Sequence, residues 1–262
     1  MKNQGDGMTG FLLAAVLLIA AAFLIVMMVR AAFANTVREE VLTFDDYPAQ
    51  IDDLTIFFIS DIHRRSIHDS IIHEAKGSAD VVIIGGDLTE KGVPFSRVRE
   101  NIKKLIEIAP IYFIWGNNDY EVDIQKLEEL FREFDVTVLK NNSAFLPTFD
   151  NKIVLIGTDY PDTSDSMQAI LYSIKKTAFR IVLSHSPDLA EKVTDSDGVP
   201  LILSGHTHGG QIRIFGMGPY EKGGIKEYQW TTLFVSNGYG TSLLPLRLGA
   251  PAETHLITVK KG

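Results

Sequence analysis

The sequence predicts an α/β domain behind one helix of membrane-spanning length, and two observations carry that prediction. Short apolar runs rich in β-branched residues alternate with longer stretches whose apolar positions recur three and four apart. Ahead of them, Phe11 to Val29 reads FLLAAVLLIAAAFLIVMMV, 19 consecutive apolar residues. At a helical rise of about 1.5 Å per residue, such a run matches the ~30 Å hydrocarbon core of a bilayer.

Taken in order, residues 1–10 read as a tail and residues 11–30 as a transmembrane signal-anchor helix, which places the protein at the cell membrane. The rival is a cleavable signal peptide, because Ala32-Phe33-Ala34 has the small-x-small form and cleavage near Ala34 would export the domain. The apolar run is longer than the ~7–15 residues of a signal peptide and Arg30 stands before the site, so an anchor is expected. Lys2 on one side faces Arg30 and Arg38 on the other, which leaves orientation open. Residues 31–50 read as a tether plus a lead-in strand near VLTF, with the domain proper at 51–262.

Within that domain, LTIFFIS (54–60), VVIIGG (81–86), IYFIWG (111–116), KIVLIG (152–157), RIVLSH (180–185) and PLILSG (200–205) read as buried strands. PFSRVRENIKKLIEI and DIQKLEELFREF have helical periodicity, giving the βαβ alternation of a covered sheet. QIRIFG, TTLFVSNG and THLITV read as closing antiparallel strands. Trp115 and Trp230 are expected in the core.

Composition narrows the chemistry. A net charge of -8 argues against nucleic-acid binding through the overall field, which needs many Lys and Arg contacts with phosphate. With no cysteine, disulfides and thiolate metal sites are excluded, so any metal would be held by His, Asn and carboxylates. No feature of the chain implies an obligate protein partner.

The strand ends carry that type of ligand. FFIS is followed by Asp61 and His63, VVIIGG by Asp87, IYFIWG by Asn117, RIVLS by His185, and PLILSG by His206 and His208. In open α/β sheets, ligands gather outside the carboxyl ends of the strands. Asp61, Asp87 and Asn117 follow one another at 26 and 30 positions, the span of one βαβ unit. Singly, each has an ordinary explanation as a helix cap, a satisfied histidine or a turn residue. Together, two carboxylates, one amide and four imidazoles suffice for two divalent ions sharing a carboxylate. In GHTHGGQ, an extended His-x-His would project both imidazoles to one side, one toward each metal, and Gly209 and Gly210 would let backbone approach a substrate closely.

The motifs SDIH, GGDLTE, GNND, SHSPD and GHTHGGQ, in this order, resemble the calcineurin-like metallophosphoesterases, including a membrane-associated bacterial branch in which GHTHGGQ is followed by a segment like LPLRLGAP. The resemblance runs from about Leu54 to Val259. It implies a four-layer α-β-β-α sandwich with a two-metal centre. Carried over by position, it implies that Asp61, His63 and His208 hold the first metal and Asn117, His185 and His206 the second, with Asp87 bridging. The cofactors would be two divalent ions, with Mn, Fe, Zn or similar all suited to these ligands. The implied activity is metal-dependent hydrolysis of a phosphoric ester by a metal-bridging hydroxide. The ions would also make the pocket cationic in an acidic protein.

One position departs from the family pattern. Where the family most often has Gly-Asn-His-Asp or Gly-Asn-His-Glu, this chain has Asn118, which donates a hydrogen bond but delivers no proton near neutral pH. Three readings follow: a leaving group good enough to need no acid, another residue such as His68 or His73 in its place, or lost activity. Retained hydrolysis of a phosphodiester, a pyrophosphate or a phosphorylated lipid headgroup is expected, with Asp87 and Asn118 as catalytic residues. The alternatives are a phosphomonoesterase or protein phosphatase, and a catalytically weak module that binds metal and a phospholigand. Asn118, Gly209 and Arg247 are candidate substrate contacts. Leu243, Leu244 and Leu246 would accept a lipid tail or pack inward with Tyr239. Tyr120 would line the site or cap its helix.

Overall fold

In the computed structural model, which describes residues 3–161, 164–174 and 177–262, helix α1 (Asn3–Ala32) leads almost directly into strand β1 (Thr36–Phe44). Met8–Ala32 is long and apolar enough to cross a membrane. Within the span 31–50, expected as a tether plus a lead-in strand, residues 33–35 make the link and β1 is longer than VLTF. The strands that follow, in chain order, are β2 (Leu54–Ile59), β3 (Val81–Ile84), β4 (Ile111–Phe113), β5 (Thr137–Val138), β6 (Asn142–Phe145), β7 (Ile153–Gly157), β8 (Phe179–Leu183), β9 (Leu201–Ser204), β10 (Gly224–Glu227), β11 (Thr232–Val235) and β12 (Glu253–Lys261). The remaining helices are α2 (Asp69–Ala75), α3 (Phe95–Leu105), α4 (Ile124–Glu133) and α5 (Ser164–Ser173).

The strands form two sheets of six, ordered β1-β12-β2-β3-β4-β5 and β10-β11-β9-β8-β7-β6. Strands β2, β3 and β4 are parallel neighbours, as are β7, β8 and β9. Alternation along each strand explains the uninterrupted apolar runs. In β2, Phe57 and Ile59 face a core shared with Ile71 of α2, Ile102 of α3 and Leu127 of α4. Leu54, Ile56 and Phe58 face the other way, onto Leu155, Ile181 and Leu203 of the second sheet. That sheet covers its outer face with Met167 and Leu171 of α5 and with Leu189. The result is the α-β-β-α order of four layers, in which both faces of each sheet are buried.

The last strands differ from expectation. THLITV does form β12, but β12 lies between β1 and β2, parallel to the first and antiparallel to the second. TTLFVSNG contains β11, which is parallel to β9 and antiparallel to β10. QIRIFG is not a strand: Ile214 pairs only with Met217, across a tight turn at Phe215-Gly216. Trp115 is buried as expected, whereas Trp230 is 46% exposed in the turn between β10 and β11, a correction to its expected place in the core.

Candidate metal centre

The site lies where the carboxyl ends of β2, β3 and β4 on one sheet meet those of β8 and β9 on the other. Strands β2 and β3 deliver Asp61, His63 and Asp87, and backbone bonds lock these turns together: Asp61 N–H donates to Gly86 O (3.0 Å), and Ile62 and His63 N–H to Asp87 O (2.8 and 3.1 Å). His185 follows β8, and His206 and His208 follow β9, with Gly205 N–H donating to His185 O at 3.1 Å.

The side chains converge as two groups. In the first, His63 Nε2 lies 3.1 Å from His208 Nε2, and the latter lies 3.6 Å from Asp61 Oδ1. The second has His185 Nε2 3.2 Å from His206 Nδ1 and 3.4 Å from Asp87 Oδ2. Asp87 Oδ2 is also 3.8 Å from His63 Nε2, so this carboxylate is approached by histidines of both groups. Asp61 belongs with His63 and His208 and equally with Asp87 and His185, donor atoms of each trio lying within 4.8 Å of one another. All these residues except His206 are buried.

This donor set fits divalent cations. Asn117 Oδ1 is a buried acceptor with no hydrogen-bond partner among the described residues, and a cation would satisfy it. His185 Nδ1 donates to Gly85 O at 2.8 Å, and His63 Nδ1 lies 3.0 Å from Glu90 Oε2. Both contacts leave Nε2 pointing into the site, the orientation usual for metal-ligating histidines.

Electrostatics agrees with the geometry. Burial alone would raise the Asp87 carboxyl, but the His185 hydrogen bond and the charges of His185 and His63 hold it down at about 2. Burial alone would lower the His185 imidazole, but Asp87 and Asp61 draw it up to about 10. Burial, with the neighbouring charges of His63 and Arg247, brings His208 down to about 4 against the raising influence of Asp61.

Five of the seven candidate ligands hold left-handed backbone: Asp61 (φ 54°), His63 (φ 51°), Asp87 (φ 53°), His206 (φ 70°) and His208 (φ 50°). That conformation costs roughly 1–2 kcal/mol per non-glycine residue and persists where surrounding structure imposes it. The extended His-x-His expected from the sequence is thus corrected. The two histidines straddle Thr207, which is right-handed at φ -79° and ψ -15°, and it is the tight turn that aims one imidazole at each group.

Asn118 is placed against Asp87. Its backbone N–H donates to Asp87 Oδ1 and its Nδ2 to Asp87 Oδ2, both at 2.8 Å. Two expected substrate contacts are corrected. Arg247 is fully buried, and its guanidinium donates to the carbonyls of Gly238, Gly240 and Ala250 with Nη2 3.0 Å from His208 Nδ1; it braces the ligand loop from behind. Gly209 is buried at φ 58°, and a Cβ there would stand 1.9 Å from Asn237 Oδ1, so the missing side chain makes room for Asn237 and not for a ligand. His68 caps α2 by accepting from Ser70 N–H, and His73 is exposed on the same helix, so neither replaces a histidine at position 118. Tyr120 stacks on Trp115 at 4.9 Å and donates to Asp159.

Two residues that matter were not singled out from the sequence, although both stand in quoted motifs. Glu90 of GGDLTE orients His63. Asp119 of GNND, fully buried, accepts from the N–H groups of Asp87 (2.8 Å), Gly116 (2.9 Å) and Thr89 (3.1 Å), tying the β3 and β4 turns into one unit. Above the ligands opens a cavity of about 900 Å³, with Asp87, Asn117, Asn118, His206 and His208 in its lining. Arg64, ion-paired with Glu90, lines it together with Lys91 and Glu121, and Leu243, Leu244 and Ile212 form its apolar lip.

Residues 54–210 match the family model of the calcineurin-like phosphoesterases. The chain is 40% identical over 250 residues to the uncharacterized protein YpbG of Bacillus subtilis (strain 168), covering 94% of this chain and 96% of that one. It is 28% identical to the phosphodiesterase YaeI of Escherichia coli (strain K12), over 84% of this chain and 86% of that one. It is also 28% identical to a transmembrane protein with metallophosphoesterase domain from Danio rerio, over 94% of this chain and 62% of that one. With the strand order, the ligand-bearing turns and these matches in agreement, the chain belongs to the calcineurin-like phosphoesterase family.

Proposed function

We propose that this chain is a membrane-anchored phosphoesterase that uses two divalent cations to hydrolyse a phosphodiester, a pyrophosphate or a phosphorylated lipid headgroup. The observation that supports the reading is the convergence of six donors as two groups, with the unpaired Asn117 Oδ1 belonging to a residue that lines the same cavity. Asp61, His63 and His208 would hold one cation, and Asn117, His185 and His206 the other, with Asp87 common to both. When bound, such a pair supplies Lewis acidity toward phosphoryl oxygens and an ionised water for in-line attack.

The chain's own side chains do the rest. Asn118 fixes both oxygens of Asp87 and presents its amide to the cavity, where it donates to a phosphoryl oxygen. Lys91 attracts the substrate's negative charge, a role that buried Arg247 leaves open, while Arg64 is paired with Glu90 at the rim. With asparagine at position 118, the site favours leaving groups that depart without protonation, since a general acid is worth ~10²- to 10⁴-fold where one is needed. Retention of α1 is supported by its apolar length and by Arg65, whose Nη1 donates to Ala32 O (3.3 Å) and Ala34 O (3.1 Å), so the would-be cleavage segment is fastened to the folded domain.

The test is hydrolysis of bis-p-nitrophenyl phosphate beside p-nitrophenyl phosphate by the full chain in detergent, with Mn²⁺, with chelator and with Asp87→Asn. Diester cleavage that chelation abolishes and Asp87→Asn reduces to background is expected. Cleavage of the monoester alone would replace this reading with a phosphomonoesterase, and metal uptake without either activity with a phospholigand-binding module.

A further inference from the structure

The end of α1 is built into the rim of the cavity. Arg247 N–H donates to Met28 O at 3.1 Å and Ala252 N–H to Ala31 O at 2.9 Å. From that loop the connection passes to the turn after His208: Leu248 N–H donates to Gln211 O (2.9 Å) and Arg213 N–H to Leu248 O (2.8 Å). The Gln211 amide then joins the loop again, donating to Ser242 O (3.1 Å) and Leu244 O (3.2 Å). One hydrogen-bonded frame thus links the last turns of the apolar helix to two loop tips, Ile214–Met217 and Leu243-Leu244.

Both tips are apolar and unpacked. Phe215 is 96% exposed, Leu243 95%, Met217 72%, Leu244 65% and Ile214 59%. At each tip, the most exposed residue is held in left-handed backbone, Phe215 at φ 51° and Leu243 at φ 61°. For bulky apolar side chains this conformation costs roughly 1–2 kcal/mol; backbone bonds between Ile214 and Met217 close the turn at Phe215, while the Phe215 and Leu243 side chains stay exposed. Charge is withheld from the same surface. Segments 205–220 and 237–252 contain no Asp, Glu or Lys, and their arginines turn inward: Arg247 is buried, and Arg213 donates to the carbonyls of Gly209 (3.0 Å), Gly216 (2.5 Å) and Tyr220 (2.5 Å). Large exposed apolar patches of this kind mark interaction sites.

The helix decides what covers the patch. Met8–Ala32 spans 25 residues, about 37 Å at helical rise, against ~30 Å of hydrocarbon. Met28, one residue before the end of the apolar run Phe11–Val29, therefore stands at the edge of the hydrocarbon, and the loop bonded to Met28 lies at that level too. We propose that the tips Ile214–Met217 and Leu243-Leu244 insert into the same bilayer that α1 spans, so that the cavity between them opens onto the lipid headgroups. The inference rests on the reading of α1 as a retained anchor. It adds a second membrane contact that fixes how the domain faces the lipid, and it gives a headgroup-borne phosphate direct access to the site.

The absence of cysteine makes the test clean, because each introduced thiol is unique. The full chain carrying Phe215→Cys, Leu243→Cys, Val26→Cys or Ser196→Cys is labelled with an environment-sensitive fluorophore and reconstituted into phosphatidylcholine/phosphatidylglycerol vesicles. Some of the lipids carry nitroxide quenchers near the headgroup. Val26 reports the helix, and exposed Ser196, before β9 at the end of the sheet away from the site, reports water. The expected result is a blue shift and loss of fluorescence at positions 215 and 243, as at 26, with none at 196. Quenching at 26 with positions 215 and 243 indistinguishable from 196 overturns the insertion and leaves the anchor standing. Absence of quenching at 26, with protein that does not float with the vesicles, overturns both.

Discussion

His255 provides a test of how tightly the two sheets close beneath the site. The residue is 2% exposed on β12, with Phe234 edge-on at 4.8 Å, Ser236 Oγ 3.1 Å from its Nε2 and Glu253 Oε1 3.6 Å away. Its Nδ1 has no hydrogen-bond partner among the described residues. Burial lowers its pKa from 6.5 to about 4, against the raising influence of Glu253 and with a smaller lowering influence from Arg38. The sign follows from linkage. Above pH 6.5 the imidazole is neutral in folded and unfolded chains alike and costs nothing. Between 6.5 and about 4 only the unfolded chain takes up the proton, so stability falls with pH until the folded state also protonates. A shift of that size corresponds to on the order of 3 kcal/mol, or roughly 6–12 °C in Tm for a domain of this length. The assay is urea unfolding of the detergent-solubilised full chain, with chelator, at pH 7.5, 5.5 and 4.5, for the natural protein and His255→Gln. The ligand histidines titrate in both proteins and cancel in the comparison. The natural protein should lose on the order of 3 kcal/mol more than the variant between pH 7.5 and 4.5. Parallel loss in the two proteins would refute the account of His255 as a histidine buried in its neutral form.

Two further outcomes concern the site. Asp119→Asn keeps the volume but sets an amide NH₂ against one of three converging N–H donors, so it should cost about 1–3 kcal/mol in urea unfolding. The same change should weaken Mn²⁺ uptake measured by calorimetry, and undiminished uptake would detach Asp119 from the centre. Asn118→His should raise turnover of esters with poor alkoxide leaving groups, with little effect on nitrophenyl diesters. An equal or lower rate on both would count against the missing acid as the reason for the proposed preference.

What the sequence discloses depends on which physical constraint dominates at each place. Strands β2, β3, β4, β7, β8 and β9 are legible because both faces of each are buried, which demands unbroken apolar runs. Strand β1 is legible only in its last residues. Its Arg38, Glu39 and Glu40 obscure the pattern, and the pairing that makes it a strand lies with Glu253–Lys261 at the other end of the chain. QIRIFG shows the converse, an alternating apolar pattern at a turn whose side chains face outward. At the site, donor chemistry picks out which residues converge, because a strand end followed by Asp, Asn or His is visible in one dimension. Backbone conformation and support are not. The left-handed turns at the ligands, the carbonyls that consume Arg247 and the three N–H groups on Asp119 exist only once several loops have been brought together.

Those hidden features explain why the candidate centre can be rigid although every ligand sits on a loop. Each of three turns at a strand end is held from two directions: Asp87 by Asn118 and by the Asp119 bond to its own N–H, His63 by Glu90 and by its own N–H on Asp87 O, and His185 by Gly85 and by the Gly205 N–H on its carbonyl. Left-handed backbone at five candidate ligands adds to this support, the arrangement expected where surrounding groups over-determine geometry. The same frame continues through Arg247 to Met28. Displacement of the helix end would therefore be felt at His208 through one side chain, which makes the attachment of α1 part of the site's architecture and not merely a tether.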